Sequence, residues 1–276
     1  MIRALSQRVL HGALALCFPP ACALCGGLHT PDADGIVCGA CLARLVPMPQ
    51  PQCARCGHAR LSLSSPGPAG DGPTGAVAEI ARCRWCDRLP PYVRSVRSVC
   101  RMDEGTGGAL VHALKYGAWP AVALPMARRM ARLSYPADVV RERTSLVALP
   151  LGRTRQRERG YNQAEKLAES LAPLWKLPVW HGTLVRARET RSQVRLTPSE
   201  RATNVSRAFA VQAAGRARLR GAHVMLVDDV ITTAATLNAA ALALLDGGAR
   251  IVSYVTFGRA PDPGDRAVTD LDLDSE

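Results

Sequence analysis

The sequence predicts an α/β protein built on a parallel sheet with helices on both faces, preceded by a cysteine-built metal module. Three observations carry that expectation. Four C-x-x-C pairs fall before residue 90. From Tyr92 onward, apolar runs of strand length alternate with helix-length segments, the pattern of parallel strands joined by helical crossovers. One of those runs, Val224–Val227, leads into two adjacent carboxylates, Asp228 and Asp229, and then into a loop of small and hydroxyl residues that opens a helix.

Composition sets the bounds. A chain of 276 residues accommodates one medium domain and one small one. Apolar residues make up 47% and aromatics only 4%, so the core is aliphatic rather than ring-stacked. The net charge of +12 is concentrated: Arg141–Arg220 holds 17 Lys+Arg against 6 Asp+Glu, a local excess of +11. Such a segment attracts phosphates, nucleic acid or an acidic partner, although a solvated arginine-rich surface has the same composition. No apolar run reaches the length of a membrane helix, and a cytoplasmic chain is expected. Residues 1–20 imitate a signal peptide, but the apolar run Val9–Phe18 is short and interrupted by His11. An amphipathic helix is expected there, with Ile2, Leu5, Val9, Leu10 and Leu14 on one side.

The module comes next, over 21–90. Its pairs are Cys22/Cys25, Cys38/Cys41, Cys53/Cys56 and Cys83/Cys86, separated by 12, 11 and 26 residues. A C-x-x-C turn brings two sulfurs to one ion, and two such turns complete the tetrahedral four-thiolate site that zinc favours. Gly26 and Gly57 follow the second cysteine of the first and third pairs, where a tight turn needs a permissive backbone. These glycines mark the openings of two ribbons. One Zn²⁺ is therefore expected on Cys22, Cys25, Cys38 and Cys41, and a second on Cys53, Cys56, Cys83 and Cys86, with interleaved pairing as the alternative. The role is structural, because a segment so rich in Gly and Pro has little core of its own. A disulfide framework would need an oxidising compartment that nothing else in the chain suggests. Cys17 and Cys100 are left over as thiols. The stretch LSLSSPGPAGDGPTGAVAE reads as a loop excursion from the second ribbon, and Pro90–Pro91 as the domain boundary.

The α/β domain then runs over 91–260. Tyr92–Met102 alternates as a half-buried strand. Gly107–Tyr116 is a helix stopped at Gly117, and Ala121–Leu133 is another. Leu146–Pro150 is a short buried strand, Gln163–Leu174 a helix with apolar residues at helical spacing, and Leu184–Val185 a further strand. Val224–Val227, the Ala/Leu helix Thr233–Leu245 and the strand Ile251–Phe257 complete the alternation. Residues 261–276 carry six acidic residues and two prolines and read as a disordered tail.

Ligands of such sheets bind at the carboxyl ends of strands, and Asp228–Thr236 lies at such an end. A helix N-terminus offers unpaired N–H groups and a positive dipole end to an anion. Thr232, Thr233, Ala234, Ala235 and Thr236 would supply those N–H groups and hydroxyls to a phosphomonoester. Asp228 and Asp229 would repel a phosphate, yet suit the vicinal hydroxyls of a ribose. A strand whose terminal carboxylates only cap the helix is the plainer alternative. Arg153, Arg155, Arg157 and Arg159, followed by Gly160, Tyr161, Asn162 and Gln163, form a second candidate. Arginine forks bind phosphate oxygens in pairs, and a tyrosine stacks on a base. Pyrophosphate or single-stranded DNA is the ligand in the functional reading; a solvated turn before a helix is the other.

The stretch VMLVDDVITTAAT resembles the phosphoribosyl diphosphate loop of type I phosphoribosyltransferases, and the chain is most similar to the ComF-type competence family, which includes GntX-like proteins. Leu114–Gly117 (LKYG), Pro150–Ala168 and Arg188–Phe209 resemble the same family, as does the cysteine-rich start. The resemblance implies a Rossmann-like parallel sheet, the type I phosphoribosyltransferase fold. Asp228 and Asp229 would hold ribose hydroxyls, Thr232–Thr236 the 5-phosphate, and Pro150, Leu151, Gly152 and Arg153 the pyrophosphate. Lys115 and Tyr116 would lie near the diphosphate, with Mg²⁺ bridging its oxygens and 188–204 as a lid. It also implies a competence role, handling incoming single-stranded DNA beside DNA-uptake or recombination proteins. An active phosphoribosyltransferase with a nucleobase-like acceptor is the alternative. Two departures stand out: Ala234 replaces the family's usual glycine, and Gly152 stands where a histidine is common.

Overall fold

The structure is a computed structural model in which residues 21–29, 35–59, 83, 85–102, 105–117, 119–187 and 208–261 are described. The helix expected over 1–20, the whole loop excursion over 61–79, the expected lid over 188–204 and the tail from 262 lie outside the described residues.

Four parallel strands form the central sheet: β1 (Val93–Arg101), β2 (Arg143–Ala148), β5 (His223–Ile231) and β6 (Ile251–Arg259), in the order β1-β6-β5-β2. Both faces are covered, which is why β5 reads as a continuous apolar run. Alternation sorts its side chains. Val224 and Leu226 join Val252 and Tyr254 in one core, against Leu237, Ala240 and Leu244 of α8 (Ala235–Asp246). Met225 and Val227 join Val255 and Phe257 in the other. That second core is filled by Leu110 and Leu114 of α2 (Thr106–Tyr116), Met126 and Met130 of α3 (Ala123–Ala131), and Leu167 and Leu171 of α6 (Gln163–Trp175).

The structure departs from the expected elements in five places. The segment expected as one helix over 121–133 begins as a 3-10 turn at Pro120–Val122 before α3. Pro125 falls in the first turn of α3, where no intrahelical N–H is required. Leu184–Val185 does not join the main sheet. It belongs to β3 (Leu184–Arg186), which pairs antiparallel with β4 (Phe209–Val211) in a separate ribbon. Two apolar residues in a row do not distinguish these strand types. Strand β5 continues through both aspartates to Ile231, so they project from a strand held by β6 rather than from a loop. The helix after them opens at Ala235, two residues later than expected. Finally, α4 (Ala137–Glu142), α5 (Arg153–Arg159) and α7 (Ala213–Leu219) appear where no apolar periodicity announced a helix.

The cysteine-rich segment lies along the β1 edge of the sheet. Met48 N–H donates to Val99 O (3.3 Å), Arg101 N–H to Val46 O (3.0 Å) and Val96 N–H to Arg55 O (2.8 Å). Arg55 donates through its guanidinium to the carbonyls of Leu89 (3.0 Å), Pro90 (2.7 Å) and Val93 (3.2 Å). An otherwise open edge strand is thereby covered. The short helix α1 (Gly39–Ala43) carries Cys41 into the same core as α2 and α3.

Candidate functional site: a cleft at the carboxyl end of the sheet and two four-cysteine groups

The carboxyl end of β5 opens into a cleft of about 660 Å³. Asp228, Asp229, the strand end Val230–Ile231 and Thr232 form its floor. Ala234, Ala235 and Thr236 form one wall, and Pro150, Leu151 and Gly152 after β2 form another. Lys115, Arg155, Arg159 and Gln163 complete it from the sites anticipated in the sequence, and Arg186 of β3 adds a cation that the sequence did not single out. Of the remaining candidates, Arg153 and Arg157 are exposed on α5 outside this lining. Thr233 faces a small space behind the loop instead.

The strand alternation that builds the two cores also places the two carboxylates. Asp229 falls on the α2 side, where Lys115 Nζ lies 2.5 Å from its Oδ2. Among the described residues, no hydrogen bond of regular geometry reaches that buried oxygen besides this ion contact. Asp228 falls on the α8 side, and its Oδ1 accepts from Asp229 N–H at 2.8 Å. Burial first, and then the neighbouring Asp229 carboxylate, push the Asp228 pKa well above the usual carboxylate range. The resting site therefore holds its acidic pair as one ion-paired carboxylate and one that retains its proton far more readily than a free aspartate.

The loop turns on Ala234, which sits in the left-handed region at φ 64°. This is the position where the family's pattern has glycine, and a Cβ in that region carries strain of about 1–2 kcal/mol. Ala234 O accepts the first helical bond of α8, from Asn238 N–H (2.8 Å). Among the described residues no side chain caps the helix, and Ala234–Leu237 line the cleft, so the N–H groups of its first turn are available to a ligand there. Opposite them, Gly152 is the N-cap of α5, and a Cβ there would meet only Arg186 Cδ, at 3.9 Å. The departure at Gly152 thus leaves space in the cleft wall.

Three candidates of the arginine-rich segment are held by the fold. Tyr161 Oη donates to Leu114 O at the end of α2. Asn162 caps α6 through Ala164 N–H (3.0 Å) and donates to Leu149 O (3.0 Å), fixing the end of β2 to the start of α6. Gln163 is buried, and its Oε1 has no hydrogen-bond partner among the described residues. Tyr116 does not enter the cleft lining. It is 65% exposed on the surface, with the Arg159 guanidinium 4.9 Å above its ring.

The cysteines assemble into two four-thiol groups in the sequential rather than the interleaved pairing: Cys22, Cys25, Cys38 and Cys41, and Cys53, Cys56, Cys83 and Cys86. Cross-pair sulfur distances are 3.9 Å for Cys22–Cys41 and Cys25–Cys38, and 3.5 Å for Cys53–Cys86 and Cys56–Cys83. A tetrahedron with Zn–S bonds of about 2.3 Å has edges of about 3.8 Å, so both groups fit the ion. Burial raises the Cys22 pKa, but backbone N–H donors from Cys38, Cys25 and Leu24 outweigh it and bring the thiol down to about 6. Burial and the neighbouring sulfurs push Cys41 up to about 12 and Cys86 up to about 11. Four thiolates this close repel one another, and a divalent cation removes that conflict.

No family profile matches the chain. Among curated proteins, it is 31% identical over 209 residues to the DNA utilization protein YhgH of Salmonella typhi, covering 72% of this chain and 85% of that one. It is 36% identical over 118 residues to competence protein F of Haemophilus influenzae, covering 40% and 51% of the two chains. Against competence protein ComFC of Bacillus subtilis it is 35% identical over 119 residues, covering 42% and 44%. The four-cysteine groups, the parallel sheet and this similarity agree, and the chain belongs to the ComF-type competence family.

Proposed function

We propose that the protein binds phosphoribosyl diphosphate in the cleft at the end of β5 and acts in DNA uptake, handling incoming single-stranded DNA. The observation that carries the first part is the juxtaposition on one floor of the Asp228–Asp229 pair and the uncapped first turn of α8. A ribose 5-phosphate presents the matching pair: vicinal hydroxyls for the carboxylates and a dianion for the N–H groups. The diphosphate would extend toward Pro150–Gly152, where Arg155, Arg159 and Arg186 supply cations from two elements. The hydroxyls would draw Asp228 toward its ionised form, since a carboxylate is the better acceptor. Mg²⁺ suits phosphate oxygens and would neutralise part of the diphosphate charge, with the acidic pair nearby. Lys115 fixes Asp229 and balances the charge of the pair.

The DNA role is supported by relatives whose names are DNA utilization protein and competence protein. It is also supported by the arginines of α5: Arg155 and Arg159 line the cleft, and Arg153 and Arg157 are exposed beside them on the same helix. No helix of the described residues is long and apolar enough to cross a membrane, in keeping with a cytoplasmic site of action. The test is a crystal structure grown with phosphoribosyl diphosphate and Mg²⁺. The 5-phosphate should lie on the N–H groups of 234–237 and the ribose hydroxyls on Asp228 and Asp229. A ligand bound elsewhere overturns the assignment. Pyrophosphate release with added nucleobases separates a transferase from a binding protein. Salt-dependent anisotropy with labelled single strands tests the DNA role, and replacement of Arg155, Arg157 and Arg159 by alanine should flatten its slope.

A further inference from the structure

The two four-cysteine groups occupy different faces of the sheet. Cys22 and Cys41 pack into the core shared with α2 and α3. Cys53 and Cys56 pack into the other core, the one that contains Ala234 and Leu237 of the anion loop and α8. Cys56 and His58 share the wall of a narrow space of about 20 Å³ with Thr233 and Ala234. The second group therefore stands directly behind the loop whose front faces the cleft.

Hydrogen bonds join the two. Cys86 opens the 3-10 turn Cys86–Arg88, and the carbonyl of Arg88 accepts from Asn238 Nδ2 at 2.8 Å. Asn238 lies in the first turn of α8. Its Oδ1 accepts from Tyr254 Oη (2.9 Å), and its backbone N–H reaches Ala234 O (2.8 Å). One side chain thus ties the turn that carries a cysteine ligand to the helix end that presents the open N–H groups. A second strap runs through Arg259 at the end of β6, whose Nη2 donates to Cys56 O (2.7 Å), while Ala260 N–H donates to Ile231 O (2.9 Å). The loop between these straps holds Ala234 at φ 64°, a conformation that persists only where its surroundings fix it.

We infer that metal in the Cys53–Cys56–Cys83–Cys86 group is a positioning element for the anion loop, acting through Asn238. With that group filled, the Cys86–Arg88 turn is rigid and Asn238 holds the α8 N-terminus in place. With it empty, the turn relaxes, Ala234 leaves the left-handed region, and the N–H groups no longer converge. Among the described residues, the first group has no such link to the loop. The consequence for ligand affinity rests on the proposed reading of the loop as a phosphate cradle; the coupling itself does not.

The test compares four full-length proteins purified in zinc: wild type, Cys25→Ser in the first group, Cys86→Ser in the second, and Asn238→Ala. Bound zinc is measured by elemental analysis, folding by circular dichroism, and the loop by amide hydrogen exchange without ligand at 238–241, the first helical N–H groups, which bond to the carbonyls of 234–237. Asn238→Ala loses both the bond to Arg88 O and the one from Tyr254 Oη, so exchange should be at least about five-fold faster, with zinc content equal to wild type. Cys86→Ser should lose one zinc and exchange about five-fold faster, and Cys25→Ser should lose one zinc and leave 238–241 as in wild type. The asparagine substitution should accelerate exchange less in Cys86→Ser than in wild type, because only the Tyr254 bond is then left to lose; equal acceleration would mean an asparagine that stabilises independently of the metal and would overturn the inference. Equal acceleration by Cys25→Ser and Cys86→Ser, or wild-type exchange in Asn238→Ala, overturns the inference. Calorimetry with phosphoribosyl diphosphate and Mg²⁺ then reads the consequence: about five-fold weaker binding in Asn238→Ala. If the wild type itself binds none, the cradle reading falls, while the exchange data still decide the coupling.

Discussion

Two glycines at equivalent places in the two ribbons should respond differently to the same substitution. Gly26 follows Cys25 at φ +68°, and Gly57 follows Cys56 at φ +72°. Alanine at either pays the left-handed cost of about 1–2 kcal/mol. A stiffer unfolded chain offsets about 0.4–1 kcal/mol of that. These contributions are common to both sites and cancel in the comparison. The surroundings differ. A Cβ on Gly26 would meet nothing within 4 Å, whereas one on Gly57 would stand 2.4 Å from Val96 O. That oxygen cannot retreat easily. Val96 lies in β1, paired with Tyr254 of β6, and its N–H is bonded to Arg55 O. Relief of the overlap must move the ribbon off the strand, at an overpacking cost of about 1–3 kcal/mol. Gly26→Ala should therefore destabilise by about 0.5–1 kcal/mol, and Gly57→Ala by about 1–3 kcal/mol more. Urea unfolding of zinc-saturated protein, followed by circular dichroism, measures both. Equal losses, or a larger loss at Gly26, would refute the placement of the second ribbon against β1.

Burial first, and then the charge of Arg250, pull the buried His223 imidazole down to about 4, from an unfolded value of about 6.5. The folded state then binds fewer protons than the unfolded one, so this contribution is whole above about pH 6.5 and is lost as the pH falls toward the folded value. Urea unfolding should lose about 2 kcal/mol from this group between pH 7 and pH 5, and His223→Gln should remove that part of the slope. Gly152→Ala should stabilise by about 0.4–1 kcal/mol, because φ is −65° and the Cβ has room; a loss in thermal melting would mean that the cleft wall is tighter than described. Lys115→Met should cost about 2 kcal/mol by leaving Asp229 buried without its cation, and adding Asp229→Asn should recover most of it; additive losses in the double variant would sink the pairing.

What the sequence discloses is chemistry carried by neighbours in the chain. The C-x-x-C pairs are legible because each turn presents two ligands by itself, and the structure completes them in sequential order. Asp228, Asp229 and the Thr232–Thr236 loop are legible because an apolar strand, a carboxylate pair and a helix start are contiguous. The departure at Ala234 was also legible, and the residue takes the left-handed conformation that favours glycine. Helix α5 was hidden because none of its residues is buried, so RTRQRER carries no apolar period. Arg186 was hidden because β3 leaves the main sheet for a ribbon whose pairing depends on Phe209–Val211, far away in sequence. Tyr161 and Asn162 read as ligand contacts because of their chemistry; their backbone partners, Leu114 O for Tyr161 and Leu149 O and Ala164 N–H for Asn162, become visible only in the folded chain. Asn238 gave no signal at all; its role arises from Arg88, 150 residues distant.

The central claim is that Asp228 and Asp229 clamp the ribose of a phosphoribosyl ligand. Isothermal titration of phosphoribosyl diphosphate with Mg²⁺ into wild type and into the double variant Asp228→Asn, Asp229→Asn tests it directly. Binding should be measurable in the wild type and lost in the variant, while circular dichroism and bound zinc stay the same. An unchanged dissociation constant in a folded, zinc-loaded variant would contradict the clamp.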